Sequence, residues 1–298
     1  MPSAKEMRLR IRSITNLAQV TKAMETVSAS KVRKAVQAVN ATRPYTEKAW
    51  KVLVHLARQP GRSSLHPLLM QRAEVKKVLV VFVSGDRGLA GSYNVNIVRH
   101  TLQYFRDSKA PVSYITIGRK GRDMMMRRGA PVMAEFSDIP NAPSFADLSA
   151  VGRLAIHEYL NGEYDQVYVA YTEFHNMIKQ VPVVEKLLPL DIEITGQAHG
   201  RMATHPSSAV FTYEPDQGSL LNEIIPRFTA LQVYQAVLSS QASEEAARMV
   251  AMRNATDNAR DLVTVLQLEY NKARQQAVTS EMLDIAGGAN AQAETHNG

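Results

Sequence analysis

Cysteine is absent from the 298 residues, which excludes disulfides, thiolate metal sites and cysteine nucleophiles. No apolar run approaches the roughly 20 residues that span a bilayer. Near Met1 there is no apolar core with a small-residue cleavage site, so a cytoplasmic compartment is expected. The eight histidines show neither HxxxH nor HExxH spacing, no G-x-S-x-G elbow occurs, and no catalytic, cofactor-binding or metal residue is assigned. Glycine and proline are missing between Ser3 and Arg43 and again from 227 to 286, and no aromatic residue precedes Tyr45.

What is present is unevenly placed. The first 43 residues hold nine Lys and Arg against Glu6 and Glu25 alone, a surplus of +7 that equals the net charge of the whole chain. Removing these from the totals of 35 basic and 28 acidic residues leaves 26 of each. One end of the molecule is therefore suited to a partner of opposite charge. An Arg-rich start also has the charge of a mitochondrial presequence, but its regular pattern runs on without a break into the adjoining residues.

Apolar residues recur at Met7, Ile11, Ile14, Leu17, Val20, Met24 and Val27, in steps of three and four that predict a helix with one apolar stripe. Met249, Met252, Ala255, Ala259, Leu262, Leu266, Tyr270, Ala273 and Ala277 repeat the rhythm in a second helix bracketed by Pro226 and Gly287. At 1.5 Å per residue the two breaker-free segments reach about 60 Å and 90 Å. No third long helix is available, so the two are expected to pair, with Ala242, Ala246, Ala251, Ala255 and Ala259 allowing close approach. A long insertion makes the pairing antiparallel most simply. The competing expectation is two core helices of a larger globular fold.

Between them, Lys76 to Ser84 is a continuous β-branched run of the kind found in buried parallel strands, followed by a glycine-rich turn and a helix over 95–105. Further strands are expected over 112–117, 131–136 and 166–172, helices over 121–128 and 145–160, a last strand or hairpin over 181–188, and a loop over 190–205. Alternating strands and helices predict an α/β unit. The fold class is thus α/β plus coiled coil: two long antiparallel terminal helices with an inserted Rossmann-like α/β domain. The expected divisions are a helix in 1–59, the inserted domain in 75–210 and the second helix in 211–298.

The turn from Gly85 to Gly91 lies where dinucleotide and phosphate sites occur, yet its G-x-x-G-x-x-G spacing matches neither the Rossmann nor the P-loop fingerprint. A structural turn held by an Asp86–Arg87 ion pair is expected. Clustered cations also suit nucleic acid, but the first helix lacks aromatics and carries an apolar stripe, so protein is the expected counterpart.

The segments ITNLAQVTKAMETVSASKVRKA, SGDRGLAGSYNVN, TYEPD and EEAARMVAMRNATDNARDLVTVLQLEYNKARQQAVTSEMLDIAGGA resemble the gamma subunit of the rotary ATP synthase, in its bacterial form, and the likeness runs from end to end. The resemblance implies a noncatalytic central rotor shaft. It would couple ion flow through a membrane sector to ATP synthesis or hydrolysis in a cylinder of α and β subunits, and regulate ATPase activity. Implied contacts with that cylinder are Lys22, Met24, Lys31, Arg33 and Lys34, then Arg274 and Gln275, then Met282 and Ile285. Tyr213 and Glu214 would meet the membrane ring of c subunits and the epsilon subunit. No cofactor is implied. The implied location is peripheral, on the cytoplasmic face of the bacterial membrane. Ala90 stands where the family often has cysteine, and the cysteine-bearing insertion of the chloroplast form is absent, so thiol regulation is not expected. The alternative reading is an α/β nucleotide-binding enzyme whose terminal helices dimerise.

Overall fold

The computed structural model describes residues 4–57, 66–190 and 217–296. In chain order these form α1 (Ala4–Ala57), β1 (Val78–Val83), α2 (Tyr93–Tyr104), β2 (Val112–Ile117), α3 (Arg119–Met126), β3 (Val132–Phe136), α4 (Phe145–Leu160), β4 (Gln166–Phe174), β5 (Gln180–Leu188) and α5 (Gln217–His296). By contacts the chain divides into two compact units, one of Ser28–Arg248 and one of Met1–Val27 with Met249–Gly298.

The larger unit is built on a five-stranded sheet in the order β3-β2-β1-β4-β5. The first four strands are parallel, and β5 returns antiparallel to β4. All six residues of β1 are buried because both faces of the sheet are covered. Leu79, Val81 and Val83 point into a cluster with Leu148, Val151 and Ala155 of α4 and Val233 and Val237 of α5. Val78, Val80 and Phe82 point the other way, into Ile97 and Val98 of α2 and Met125 of α3. Period two divides one apolar run between two cores.

Helix starts follow local chemistry. Ser144 and Asp147 form a reciprocal capping box at the start of α4. Gly152 of α4 sits so close to α5 that a Cβ there would fall 2.9 Å from the Ala230 Cα. Before β1, Asp165 accepts from Arg72 (2.7 Å) and from the backbone N–H groups of Lys76 (2.6 Å) and Lys77 (3.0 Å). Burial opposes its ionisation, but these donors prevail and hold its carboxyl below the usual 3.8.

Both terminal helices contribute to this unit. Lys31 meets Glu245, Thr46 meets Gln235 and Trp50 packs on Phe228 with ring centroids 5.5 Å apart. Partner numbers fall as α1 numbers rise, so the pairing here is antiparallel. Both helices run past the breaker-free segments, though within the expected divisions of 1–59 and 211–298: α1 continues through Pro44 to Ala57, and α5 passes through Pro226 and Gly287. A single proline or glycine imposes a local cost that neighbouring turns and packing outweigh.

In the smaller unit the hydroxyls of Thr21 and Thr256 lie 2.8 Å apart. Met7, Ala18, Met252 and Ala259 are buried. The expected stripe needs correction: Leu17, Val20 and Val27 are each more than half exposed, as is Leu262. Small and hydroxyl-bearing side chains permit close helix approach, so they occupy the seam instead. Ala277, at the end of the expected α5 stripe, is likewise exposed.

Candidate functional site

The crevice at the glycine-rich turn, within the larger unit, concentrates buried charge. Its wall is formed by the C-terminal ends of β1 and β2, the loop after β3, and one face of α5. β1 lies between β2, which follows it, and β4, which lies on its other side. Ligands in open α/β sheets bind at such a reversal.

Here α5 lies across that position. β1 pairs with β4 only as far as Ala170, which leaves the later backbone groups of β4 without a strand on that side. Three serines of α5 supply partners: Ser239 accepts from the Phe174 N–H (2.9 Å), Ser240 from the Thr172 N–H (3.5 Å), and Ser243 donates to the Thr172 carbonyl (3.0 Å). The Ser240 hydroxyl also meets the Tyr93 hydroxyl at 2.6 Å, and burial pushes that phenol far up. Gln241 donates to the Pro140 carbonyl, and Tyr234 to that of Pro143, each at 3.0 Å.

One turn further along α5 is a chain of charges. Arg248 grips Glu244, lies 2.8 Å from Glu245, and reaches the Gly88 carbonyl at 3.5 Å; Lys31 of α1 approaches Glu245 at 3.3 Å. Glu244 rests against Gly85, where a Cβ would fall 2.6 Å from its Oε1. Burial raises the Glu244 carboxyl above 4.5, and Arg248 offsets part of that rise. Burial works against the Arg248 charge, yet the two carboxylates raise its basicity.

Asp86 does not pair with Arg87, as the sequence suggested. It accepts from the backbone N–H groups of Arg119 and Asp138, both at 3.0 Å, and lies 3.7 Å from the Arg119 guanidinium. A carboxylate at the turn tip reaches the start of α3 more readily than its neighbour, whose Arg87 side chain is exposed.

The crevice holds about 210 Å³, below the roughly 300 Å³ at which ligand pockets begin. Four acids line it (Asp86, Asp138, Glu244 and Glu245), and the Glu244 carboxylate lies against the turn's first glycine. Lys31, Arg87 and Arg248 line it too, but Lys31 and Arg248 are paired with Glu244 and Glu245, so a carboxylate rather than a set of free backbone N–H groups faces the turn. Among the described residues no group of three His, Asp or Glu is placed to hold a metal ion, and no helix is long and apolar enough to cross a membrane.

The implied contact residues are distributed differently. Lys22 is exposed and pairs with Glu25 of its own helix at 3.0 Å, and Met24 is half-buried. Arg33 and Lys34 are exposed beside the half-buried Lys31. Arg274, Gln275, Met282 and Ile285 are exposed on α5. Tyr213 and Glu214 lie outside the described residues. The structure joins Lys31 to Glu245 and Arg248, a cluster that periodicity and motif spacing do not single out. Its signal is nonetheless present in Glu244-Glu245-Ala246-Ala247-Arg248, whose spacing sets both acids one turn from the arginine.

A family model described as ATP synthase matches residues 3–292. A protein named ATP synthase gamma chain from Dehalococcoides mccartyi is 43% identical over 292 residues, covering 97% of this chain and 99% of that one. Its namesake from Chloroflexus aurantiacus is 44% identical over 296 residues, covering 97% and 98%. Among solved structures, a chain of the central stalk and c-ring of the Tetrahymena thermophila mitochondrial ATP synthase matches with a TM-score of 0.60 and 26% identity, covering 79% of this chain and 99% of that one. A chain of the Euglena gracilis mitochondrial ATP synthase shares the fold at a TM-score of 0.67 and 21% identity, covering 97% and 94%.

Proposed function

The chain belongs to the ATP synthase gamma family, and on that premise we propose that it is the central rotor shaft of a proton-translocating ATP synthase. It is a stalk subunit of the complex rather than its catalyst. In this reading it turns within a cylinder of α and β subunits. Each angular position presents different contacts to otherwise alike catalytic sites, which biases their conformational equilibria and couples rotation to ATP synthesis or hydrolysis.

The observation that carries the reading is the docking of α5 across the α/β crevice. A domain whose ligand position is filled by its own helix serves as a fixture on that helix. Torque applied to the domain then passes into α5 through the serine contacts at β4 and the Arg248 cluster at the turn.

The proposed partners are the α and β subunits, the epsilon subunit and the membrane ring of c subunits, the last two meeting Tyr213 and Glu214. Lys22, Met24, Lys31, Arg33, Lys34, Arg274, Gln275, Met282 and Ile285 are the proposed contacts with the cylinder. The guanidinium of Arg274 would grip carboxylates, and Met282 and Ile285 would turn against an apolar collar. The proposed location is peripheral, on the cytoplasmic face of a bacterial membrane. Reconstitution with the α and β subunits tests this. ATPase activity should appear in the assembled complex, and truncation from Arg274 onward should uncouple it. Tight nucleotide binding or turnover by the isolated chain would contradict the assignment.

A further inference from the structure

The basic surplus of the first 43 residues calls for an acidic surface, yet one of its cations already faces an acid inside the molecule. Lys31 of α1 lies 3.3 Å from Glu245 of α5, while Arg248 holds the same carboxylate oxygen at 2.8 Å. The side chains differ in access: Lys31 is 32% exposed, against 9% for Glu245 and 8% for Arg248. Lys31 hydrogen-bonds that oxygen at the longer distance, while Arg248 is the closer, ion-paired charge and stays beside it when Lys31 moves. Withdrawing Lys31 leaves Glu245 with its arginine. The Glu245–Arg248 ion pair persists, but the second oxygen of Glu245, Oε2, is buried with no hydrogen-bond partner among the described residues, so release of Lys31 carries a cost that the incoming acid must offset.

We propose that Glu245 is a parking counter-ion: it holds Lys31 when no partner acid is near and competes with that acid when one arrives. The external counterpart is an acidic protein surface, as the one-sided charge of α1 requires. Glu245 is thus a positioning residue, acting through Lys31, that weakens the rotor contact enough to be released on each turn. The inference rests on the rotor reading above and deepens it.

Two measurements test it. In the isolated chain, acylation of individual lysines by a small activated ester is followed by peptide mass spectrometry. Glu245→Gln should speed modification of Lys31 about twofold to fivefold, the range expected for a partly exposed pair, with Lys34 unchanged. An unchanged Lys31 rate overturns the proposal. Glu245→Asp keeps a charge for Arg248 but shortens the reach to Lys31; it should shift the rate the same way by less, and carries the test if Glu245→Gln does not fold. In the α, β and gamma complex, ATPase activity is measured against rising KCl. Glu245→Gln should steepen the salt dependence, and Lys31→Gln should abolish that effect in the double variant. The same effect without Lys31 overturns this inference alone, whereas a wild-type complex with no ATPase activity overturns the parent reading.

Discussion

Glu244 and Asp165 are both carboxylates at tight backbone positions, yet their environments drive them in opposite directions. Burial raises the Glu244 carboxyl above 4.5, so the folded state binds its proton more tightly than the unfolded state. Its contribution is favourable below the unfolded value and is lost as pH rises through the folded one. Glu244→Gln should therefore flatten the fall in stability between pH 4.5 and neutrality, read as urea midpoints across that range. Asp165 has the depressed value, so its contribution is present above 3.8 and is lost as pH falls through the folded value. Asp165→Asn should lower stability at neutral pH by about 1.5–3 kcal/mol, the scale for hydrogen bonds to a charged group. It should also shrink the loss below pH 4. Gly85→Ala forces a methyl to 2.6 Å from a carboxylate that Arg248 holds in place. A cost of about 1–3 kcal/mol is expected from such overpacking, measured by denaturant unfolding. None of these roles is legible in the residue types alone. The glycine spacing marks the turn as structural, but proximity in sequence points Asp86 to Arg87, because the distant Arg119 becomes adjacent only when β2 is paired beside β1.

At the scale of elements the sequence is more informative. β2 and α4 occupy the residues expected of them, because the first is bounded by Pro111 and Gly118 and the second by a capping box. Periodicity locates the terminal helices but not their ends, since breaker residues weigh less than the packing that supports each helix. Pro44 removes one backbone donor from α1 without ending it. Pro44→Ala should therefore raise stability, by up to about 3 kcal/mol, the helix-interior preference for alanine over proline. An unchanged melting curve would show that α1 already accommodates the proline without loss. The seam is hidden for another reason: hydrophobic periodicity weights large side chains, whereas the buried line runs through Ala18, Thr21, Thr256 and Ala259. Leu17, Val20 and Leu262 remain outward, a pattern that fits the proposed cylinder contacts.

For the whole molecule, the charge distribution and the two terminal helices are readable in the sequence, and the motifs that carry the family resemblance lie in those helices, the turn and TYEPD. The filled crevice is not, because it depends on α5 lying over a turn some 160 residues earlier in the chain. This filling disfavours the alternative of a nucleotide-binding enzyme. Calorimetric titration of the isolated chain with ATP and magnesium should show no binding heat at micromolar protein. The most direct measurement of the central claim uses the absence of cysteine. Ile178, 91% exposed between β4 and β5, can be replaced by a single cysteine that carries a bead or fluorophore on the inserted domain. With the cylinder of α and β subunits fixed to a surface, addition of ATP should drive sustained rotation of the label in one direction. Steady ATP hydrolysis with a stationary or randomly fluctuating label would contradict the rotor assignment.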